Sequence, residues 1–450
     1  MRRQTFMRRQ TFTRFTSIIF TIVIFTLTVV NVSQMTYAQT VQWPTAPETL
    51  AGSAILIDAD TGAILYDKSS HMKAYPASMT KIMTGLLTIE NCSFDEVVTF
   101  SSEAARSVVQ GDSNISTKVG EQYTVEQSLY ALLLSSANEV AYGLAEHVGG
   151  SLSGFVNLMN TKAKELGALN THFNNASGLS DPNHYTTAYD MAMIGRASFS
   201  NGAFLSIDSY TGSYKLGSTN LTSVARILTG SNLMFKGRQF YYEYCKGSKT
   251  GFTDESGYTL ISYAEKDGMR LICVVMKEAN INDRYMDTKD LFEYGFNNFK
   301  KVSISNSDMS SLFNSSNYYD SEVYGNNNIS FSFDASYIDL PNAAKLSDIG
   351  LKVDSSATGN IDDPNYAAKL NFIYNGKTVG SSSIIINKKN TIKSENLPYL
   401  ASNNSSVPIS KKSFVINVWY LGIGIGIILI LQIIMLIRHL QQMKRRKRYH

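Results

Sequence analysis

The segment Ala77-Ser78-Met79-Thr80-Lys81-Ile82-Met83-Thr84-Gly85-Leu86-Leu87 is the most informative part of the sequence. Its apolar residues recur at helical spacing, which predicts an amphipathic helix with one buried stripe (Met79, Ile82, Met83, Leu86 and Leu87). Ser78 follows Pro76-Ala77 at the helix start, and a spacing of three puts it on the same face as Lys81. A lysine can take the proton of a serine hydroxyl once burial and the positive helix N-terminus lower its pKa. The pair is a candidate nucleophile and base, although S-x-x-K also fits an N-cap serine beside a solvated lysine.

Strand patterns lie at both ends of a compact segment, residues 45–302. Residues 54–57 and 63–66 predict one hairpin, and residues 257–264 and 269–276 predict a second hairpin about Asp267-Gly268. Between them the sequence is helix-rich, and a last helix is predicted from about 283 to 299. Strands at both ends with helices between them indicate an α+β unit in which the two terminal segments share one sheet.

Two short polar motifs add candidate site residues. Ser136-Ala137-Asn138 lies where one predicted helix ends and another begins, so its hydroxyl and amide could project into a cleft. Lys249-Thr250-Gly251 lies on the strand before the second hairpin. A cation, a hydroxyl and a glycine that lets a substrate backbone approach suit the binding of a peptide carboxylate. Taken singly, the first motif also fits an ordinary helix–helix turn and the second a β-turn.

The three motifs occur together in the order S-x-x-K, S-x-N, K-T-G, which is the signature of penicillin-binding proteins and class A β-lactamases, with Ala137 where the lactamase motif has Asp. Their local sequences resemble the low-molecular-mass penicillin-binding proteins, the serine-type D-alanyl-D-alanine carboxypeptidases, over about residues 50–300. The resemblance rests on Ala77 to Thr84, on Asn175-Ala176-Ser177-Gly178-Leu179 with Asp181-Pro182-Asn183-His184-Tyr185, and on Gly247 to Thr253. It implies a β-lactamase/transpeptidase-like catalytic domain, an antiparallel sheet with flanking helices and a helical subdomain. It also implies removal of the terminal D-alanine from peptidoglycan stem peptides, with β-lactam antibiotics as inhibitors.

The resemblance also implies a role for each matching residue. Ser78 would be the acylated nucleophile, Lys81 its general base, and Ser136 the proton relay to the leaving D-alanine. Substrate binding would fall to five side chains or backbone positions: Asn138, Lys249, Thr250, Gly251 and Arg284. The backbone N–H groups of Ser78 and Phe252 would form the oxyanion hole, in which preorganised donors stabilise a tetrahedral intermediate. Phe252 stands where some relatives carry His.

Three other activities would use a similar fold. A DD-endopeptidase or transpeptidase would share the same residues. A β-lactamase would need a glutamate-bound water for rapid deacylation, and no convincing Glu stands between Asn138 and Lys249. A non-catalytic β-lactam sensor would need a sizeable cytoplasmic output domain, for which residues 438–450 are too few.

The two ends of the chain predict export and anchoring. Five Arg within residues 1–14, an apolar run and Thr36-Tyr37-Ala38 are typical of a signal peptide, residues 1–38. Residues 413–437 are long and apolar enough to cross the bilayer, and the basic tail 438–450 is expected on the cytoplasmic side. The catalytic domain is therefore expected outside the cell membrane, held by a single C-terminal span.

The remaining sequence limits the binding partners and cofactors that are expected. Residues 303–412 predict a Ser/Asn-rich linker and a small β-rich module. The 11 basic residues of the two ends account for more than the net charge of +4, leaving −7 for residues 15–437, so nucleic-acid binding is not expected. Three cysteines without C-x-x-C spacing indicate neither a disulfide framework nor a zinc site, and no cofactor is expected.

Overall fold

The computed structural model describes residues 42–305, 307–309, 312, 329–334, 337–354 and 366–388. The predicted signal peptide, transmembrane segment and basic tail all lie outside these residues. Within the described part of the chain, no helix combines the length and the apolar character that a membrane span requires.

Residues 53–303 form ten strands and eight α-helices. The strands are β1 Ser53–Asp58, β2 Ile64–Lys68, β3 Val97–Thr99, β4 Gln122–Thr124, β5 Ser213–Leu216, β6 Arg226–Thr229, β7 Cys245–Thr253, β8 Gly257–Lys266, β9 Met269–Glu278 and β10 Phe299–Ser303. The helices are α1 Lys81–Asn91, α2 Ser102–Ala105, α3 Val125–Leu134, α4 Asn138–Gly149, α5 Leu152–Glu165, α6 Ala188–Ser200, α7 Gly202–Asp208 and α8 Asp283–Asn298.

The central sheet is antiparallel and has the order β2-β1-β9-β8-β7. Both predicted hairpins are confirmed, with Leu56 opposite Tyr66 in the first and Lys266 opposite Met269 in the second. The first strand pairs with β9, where Leu56 lies opposite Cys273, so the two ends of the compact segment share one sheet as predicted. Strand β7, which carries Lys249-Thr250-Gly251, lies at the edge of this sheet and leaves one side open.

Helices cover both faces of the sheet. Because successive side chains of a strand point to opposite faces, the apolar run of β9 divides between two cores. Ile272, Val274 and Met276 lie in the core beneath α6, whereas Leu271, Cys273 and Val275 lie in the core beneath α8. A run buried on both faces explains why β9 has continuous rather than alternating hydrophobicity.

The helical part packs around α1. The predicted stripe is confirmed, since Met79, Ile82, Met83, Leu86 and Leu87 are all buried. Helix α1 contacts α3, α4 and α6. A capping box begins α3, where Thr124 accepts from the Gln127 N–H and the Gln127 side chain accepts from the Thr124 N–H.

A smaller β-rich module follows. Its strands are β11 Ile329–Phe333, β12 Tyr337–Pro341, β13 Gly350–Asp354, β14 Tyr366–Tyr374 and β15 Lys377–Lys388, in a sheet of order β11-β15-β14-β13 plus the pair β10-β12. Strands β14 and β15 form a hairpin about Asn375-Gly376, with Tyr374 opposite Lys377. Strand β10 runs across the predicted boundary at residue 302 and pairs with β12, so the chain enters the module through a strand.

Candidate active site

Ser78 lies in a 3₁₀ turn, Ala77–Thr80, directly before α1. Ala77 adopts a φ of +48°, a left-handed conformation that non-glycine residues seldom take and that costs energy. The neighbouring side chains Met79 and Thr80 are fully buried, so the turn is anchored in the protein interior. The left-handed residue interrupts the helical conformation just before Ser78, and the Ser78 side chain lines a cleft.

The Lys81 ammonium group has three acceptors around it. Its Nζ lies 2.9 Å from Ser78 Oγ, 2.7 Å from Asn138 Oδ1 and 2.7 Å from the Ser177 carbonyl oxygen. The residue is completely buried. Burial, and secondarily the positive charge of Lys249, lower the pKa of Lys81 well below its ordinary value.

The lowered pKa increases the fraction of Lys81 that is a neutral amine and can accept a proton. A neutral amine has two hydrogens and one lone pair, and two of the three partners are carbonyl oxygens that can only accept. Donation to Asn138 and Ser177 would therefore turn the lone pair of Lys81 toward the Ser78 hydroxyl. The pair that sequence spacing placed on one face thus has the contact that proton removal requires.

The second motif lies at the junction of α3 and α4. Ser136 has a φ of +55°, a second left-handed non-glycine residue, and it is buried. This conformation brings its Oγ to 3.1 Å from Lys249 Nζ. Asn138 is the first residue of α4, and its N–H donates to the Ser113 carbonyl at 2.8 Å. The segment between the two helices therefore contacts both other motifs, because Asn138 is hydrogen-bonded to Lys81 and Ser136 to Lys249.

The third motif lies on the exposed edge of β7. Lys249 is buried, and its Nζ also donates to the Thr250 carbonyl at 3.0 Å. Gly251 passes so close to the Ser78 turn that a Cβ would lie 2.9 Å from the Pro76 carbonyl oxygen. A larger residue would push the strand and the turn apart, which explains the glycine at this place.

Phe252 and Arg284 complete the predicted set. Phe252 is half exposed and stacks on Tyr258, with ring centroids 4.4 Å apart. Arg284 at the start of α8 is buried, and its Nη1 donates to the Gly251 carbonyl at 3.1 Å. Its Nε has no partner in the structure and is buried. The guanidinium group is therefore hydrogen-bonded to β7, the strand that carries the third motif, and it also lines the cleft.

All three motifs meet at one cleft of about 810 Å³. Its lining includes most of the predicted site residues: Ser78, Ser136, Asn138, Thr250, Gly251, Phe252 and Arg284. Lys81 and Lys249 lie just behind this lining, each joined to a lining serine by a hydrogen bond. The tertiary structure thus brings together segments that are more than 200 residues apart in the sequence.

The charge of the cleft favours an anionic group. Burial is the largest influence on Lys249; together with the positive charge of Arg284, and against the opposing effect of Asp208, it lowers the pKa of Lys249 to about 8. Asp208 lies beneath β7, where its Oδ2 accepts the Ser248 N–H at 2.7 Å, and burial raises its pKa to about 7. With a pKa of about 8, Lys249 is largely charged at pH 7, and beside Arg284 it makes this part of the cleft suitable for a carboxylate.

The loop 174–185 contributes contacts to which sequence reasoning assigned no role. Besides the Ser177 carbonyl, Asn175 Oδ1 accepts the N–H groups of Ser177 and Gly178. Gly178 has a φ of +88°, and a Cβ there would overlap the Ala77 carbonyl oxygen. The Asn-Ala-Ser-Gly string was the available signal, because an Asx turn followed by a left-handed glycine predicts a tight loop.

His184 is hydrogen-bonded to Thr80, the last residue of the turn at Ala77–Thr80. The Asn174 N–H donates to His184 Nδ1 at 3.0 Å, so the neutral ring carries its hydrogen on Nε2 and donates it to Thr80 Oγ1 at 2.8 Å. Burial lowers the pKa of His184 to about 4, which keeps the ring neutral over the physiological range.

Solved structures that match this fold include a penicillin-binding protein and a carboxypeptidase. Penicillin-binding protein 5 of Haemophilus influenzae matches with a TM-score of 0.58 and 24% identity, over 76% of this chain and 98% of that protein. A D-alanyl-D-alanine carboxypeptidase of Mycobacterium tuberculosis H37Rv matches with a TM-score of 0.51 and 28% identity, over 58% of this chain and 95% of that one. The fold class predicted from sequence is therefore confirmed as a mixed sheet-and-helix fold of the penicillin-binding type.

Sequence comparison identifies the family. Residues 39–280, over half of the chain, match the peptidase S11 family, described as D-alanyl-D-alanine carboxypeptidase. The D-alanyl-D-alanine carboxypeptidase DacF of Bacillus subtilis (strain 168) is 36% identical over 255 residues, which cover 56% of this chain and 63% of that relative. This chain belongs to the peptidase S11 family of D-alanyl-D-alanine carboxypeptidases. The chain spans less than two thirds of the length of the Bacillus relative.

Proposed function

We propose that this protein is a serine-type D-alanyl-D-alanine carboxypeptidase that removes the terminal D-alanine from peptidoglycan stem peptides. The observation that carries the proposal is the arrangement at the cleft floor. Lys81 Nζ lies 2.9 Å from Ser78 Oγ, and Lys249 Nζ lies 3.1 Å from Ser136 Oγ in the same cleft. Family membership supplies the substrate class, and the geometry fits each step of acyl transfer.

The first step is acylation of Ser78. The Lys81 amine takes the hydroxyl proton as Ser78 Oγ attacks the carbonyl between the two terminal D-alanines. The carbonyl oxygen becomes an oxyanion that the backbone N–H groups of Ser78 and Phe252 stabilise. Phe252 lies on the edge strand, and the edge position leaves backbone groups free to face a substrate.

The second step is departure of D-alanine. Lys249 donates to Ser136, so the Ser136 oxygen accepts and its own hydrogen can pass to the leaving amine. The proton that Lys81 took from Ser78 then restores the Ser136 hydroxyl, so that one proton moves from Ser78 to D-alanine overall. The terminal carboxylate of the substrate binds beside Lys249, Thr250 and Arg284, where the cleft is cationic. Proton delivery at one side and carboxylate binding at the other together orient the scissile bond.

Water then hydrolyses the acyl-enzyme. The four glutamates between Asn138 and Lys249 (Glu139, Glu146, Glu165 and Glu243) are all absent from the lining of the cleft. Glu139, the nearest in sequence, instead accepts the Ile115 N–H at 2.7 Å. This arrangement favours a slowly deacylating, penicillin-binding enzyme over a β-lactamase.

The proposal includes a cellular location. Residues 1–38 direct export, residues 413–437 anchor the chain in the cell membrane, and the catalytic domain works outside it. The apolar, charge-free run at residues 414–437 and the basic residues after it support this orientation. The substrate, uncross-linked peptidoglycan, lies on the same side of the membrane.

The test uses the full chain in detergent micelles with diacetyl-lysyl-D-alanyl-D-alanine and a fluorescent penicillin. The wild type should release D-alanine and carry a long-lived label. Ser78→Ala should lose both, whereas Ser107→Ala, a serine lining the same cleft whose hydroxyl bonds the Ala104 carbonyl, should keep both. A label that persists in Ser78→Ala would exclude Ser78 as the nucleophile.

Two further outcomes separate the alternatives. Transfer of the acyl group to an added amino-acid acceptor, faster than D-alanine appears by hydrolysis, would make the enzyme a transpeptidase. Rapid penicillin turnover without D-alanine release would make it a β-lactamase.

A further inference from the structure

Helices α1 and α4 both begin at the candidate active site, and their other ends lie near three side chains of types that can bind a metal ion. Helix α1 begins at Lys81 and is followed by Cys92, and helix α4 begins at Asn138 and carries His147 in its last turn. Their starting residues are hydrogen-bonded at 2.7 Å. At about 1.5 Å per residue, the far ends of these helices lie roughly 16–18 Å from the catalytic residues. Glu96, four residues after Cys92, completes the group.

The ligand atoms already lie close together. Cys92 Sγ, a Glu96 carboxylate oxygen and a His147 ring nitrogen are all within 4.8 Å of one another. Glu96 Oε2 and His147 Nε2 are 3.1 Å apart. Tetrahedral zinc ligands lie roughly 3.3–3.6 Å apart, given Zn–S near 2.3 Å and Zn–N near 2.0 Å. The remaining approach of at most about 1.5 Å is within the reach of side-chain rotation.

The surroundings orient these groups for a cation. Glu96 Oε1 accepts the Ser93 N–H at 2.6 Å, which fixes the carboxylate and leaves Oε2 directed at His147. The Cys92 N–H continues the helical hydrogen bonding by donating to the Thr88 carbonyl, so the backbone of Cys92 is held at the end of α1. The C-terminal ends of two helices carry partial negative charge and favour a bound cation.

We propose that Cys92, Glu96 and His147 form a structural binding site for a thiophilic divalent cation such as Zn²⁺. The sulfur, nitrogen and oxygen donors match zinc, and a water completes four-coordination because the site is open to solvent. On binding, the thiol proton is released and a zinc–thiolate bond forms. The ion joins the ends of the two helices whose beginnings carry Lys81 and Asn138, and it therefore stabilises the helical part of the enzyme.

Sequence spacing does not reveal this site. Glu96 and His147 are 51 residues apart, and the cysteine has no second cysteine near it. The site is also independent of the serine chemistry, so Ser78→Ala should bind the metal as the wild type does.

The experiment measures metal binding by the full chain. Zn²⁺ at 100 times its dissociation constant should raise the Tm by about 5–10 °C. Co²⁺ should give a thiolate-to-cobalt charge-transfer band in the near ultraviolet, and elemental analysis after gel filtration should find one zinc per chain.

Variants decide whether the three named residues hold the ion. Cys92→Ser should abolish the cobalt band and the Tm increase, and Glu96→Gln should weaken zinc binding by at least tenfold while keeping the packing. His172→Asn, at a half-buried histidine outside the group, should bind like the wild type. A Tm that zinc does not raise, or a cobalt band that survives in Cys92→Ser, would overturn the proposal.

Discussion

Protonation of His184 should release the support behind the nucleophile turn, and the size of the effect follows from its surroundings. The ring accepts the Asn174 N–H on Nδ1 and donates from Nε2 to Thr80, next to Lys81, the proposed general base. An imidazolium has no acceptor, so the Asn174 N–H would then face another N–H. We therefore take His184→Gln as the perturbation, because glutamine keeps a donor near Thr80 and does not titrate.

The magnitude comes from the difference between the two pKa values. Burial lowers the pKa of His184 from 6.5 to about 4, so the unfolded chain binds this proton more readily than the folded one. The stabilisation is fully present above pH 6.5 and is lost as the pH falls toward 4. Between pH 7.5 and pH 5 this residue alone should cost the wild type about 2 kcal/mol of unfolding free energy. That corresponds to a decrease of about 4–8 °C in Tm.

The assay is urea unfolding of the full chain at pH 7.5, 6 and 5, for the wild type and for His184→Gln. At pH 7.5 the variant should be less stable by about 1–2 kcal/mol, since it loses the Asn174 hydrogen bond. At pH 5 the two free energies should become equal within error, because only the wild type loses stability through this residue.

A difference between wild type and His184→Gln that stays constant from pH 7.5 to pH 5 would refute the reasoning. It would mean that the pKa of His184 is the same in the folded and the unfolded chain, so that burial does not keep the ring neutral between pH 6.5 and pH 5.

Three further predictions concern other parts of the structure. Lys249→Ala should lower kcat/KM for D-alanine release by at least about 100-fold, because the substrate carboxylate loses its buried partner; in the wild type the same rate should fall as the pH rises through about 8, the pKa of Lys249. An unchanged rate or a flat alkaline limb would exclude that role. Gly178→Ala should slow penicillin acylation and lower the unfolding free energy by about 2 kcal/mol, because its Cβ meets the Ala77 carbonyl at a positive φ; a Tm and labelling rate equal to the wild type would contradict this. Asp339→Asn should stabilise the protein at pH 8 by on the order of 1–2 kcal/mol and change its stability little at pH 4. The reason is that burial and the facing Asp58 raise the pKa of Asp339 and make its ionisation unfavourable. Urea unfolding at the two pH values measures whether the variant is more or less stable than the wild type.

The local elements were predictable because short-range patterns encode them. The stripe of α1, the capping box at Thr124 and the hairpin about Asp267-Gly268 depend on residues within one or two turns of each other. The strand at residues 269–276 was predicted, but its burial on both faces was not, because a hairpin pattern does not show what covers each face of the sheet. The two cores on either side of β9 account for its continuous hydrophobicity.

The sequence by itself determined which residues could do chemistry. The order and local context of Ser78-x-x-Lys81, Ser136-x-Asn138 and Lys249-Thr250-Gly251 identified the family, and the structure places all three motifs at one cleft. What the sequence left open was the state of each group. The burial that lowers the pKa of Lys81, the left-handed backbone at Ala77 and Ser136, and the Ser177 carbonyl that accepts from Lys81 all depend on neighbours distant in sequence. The physical reason is that burial, electrostatic fields and strain arise from contacts between segments, and those contacts exist only after the chain has folded.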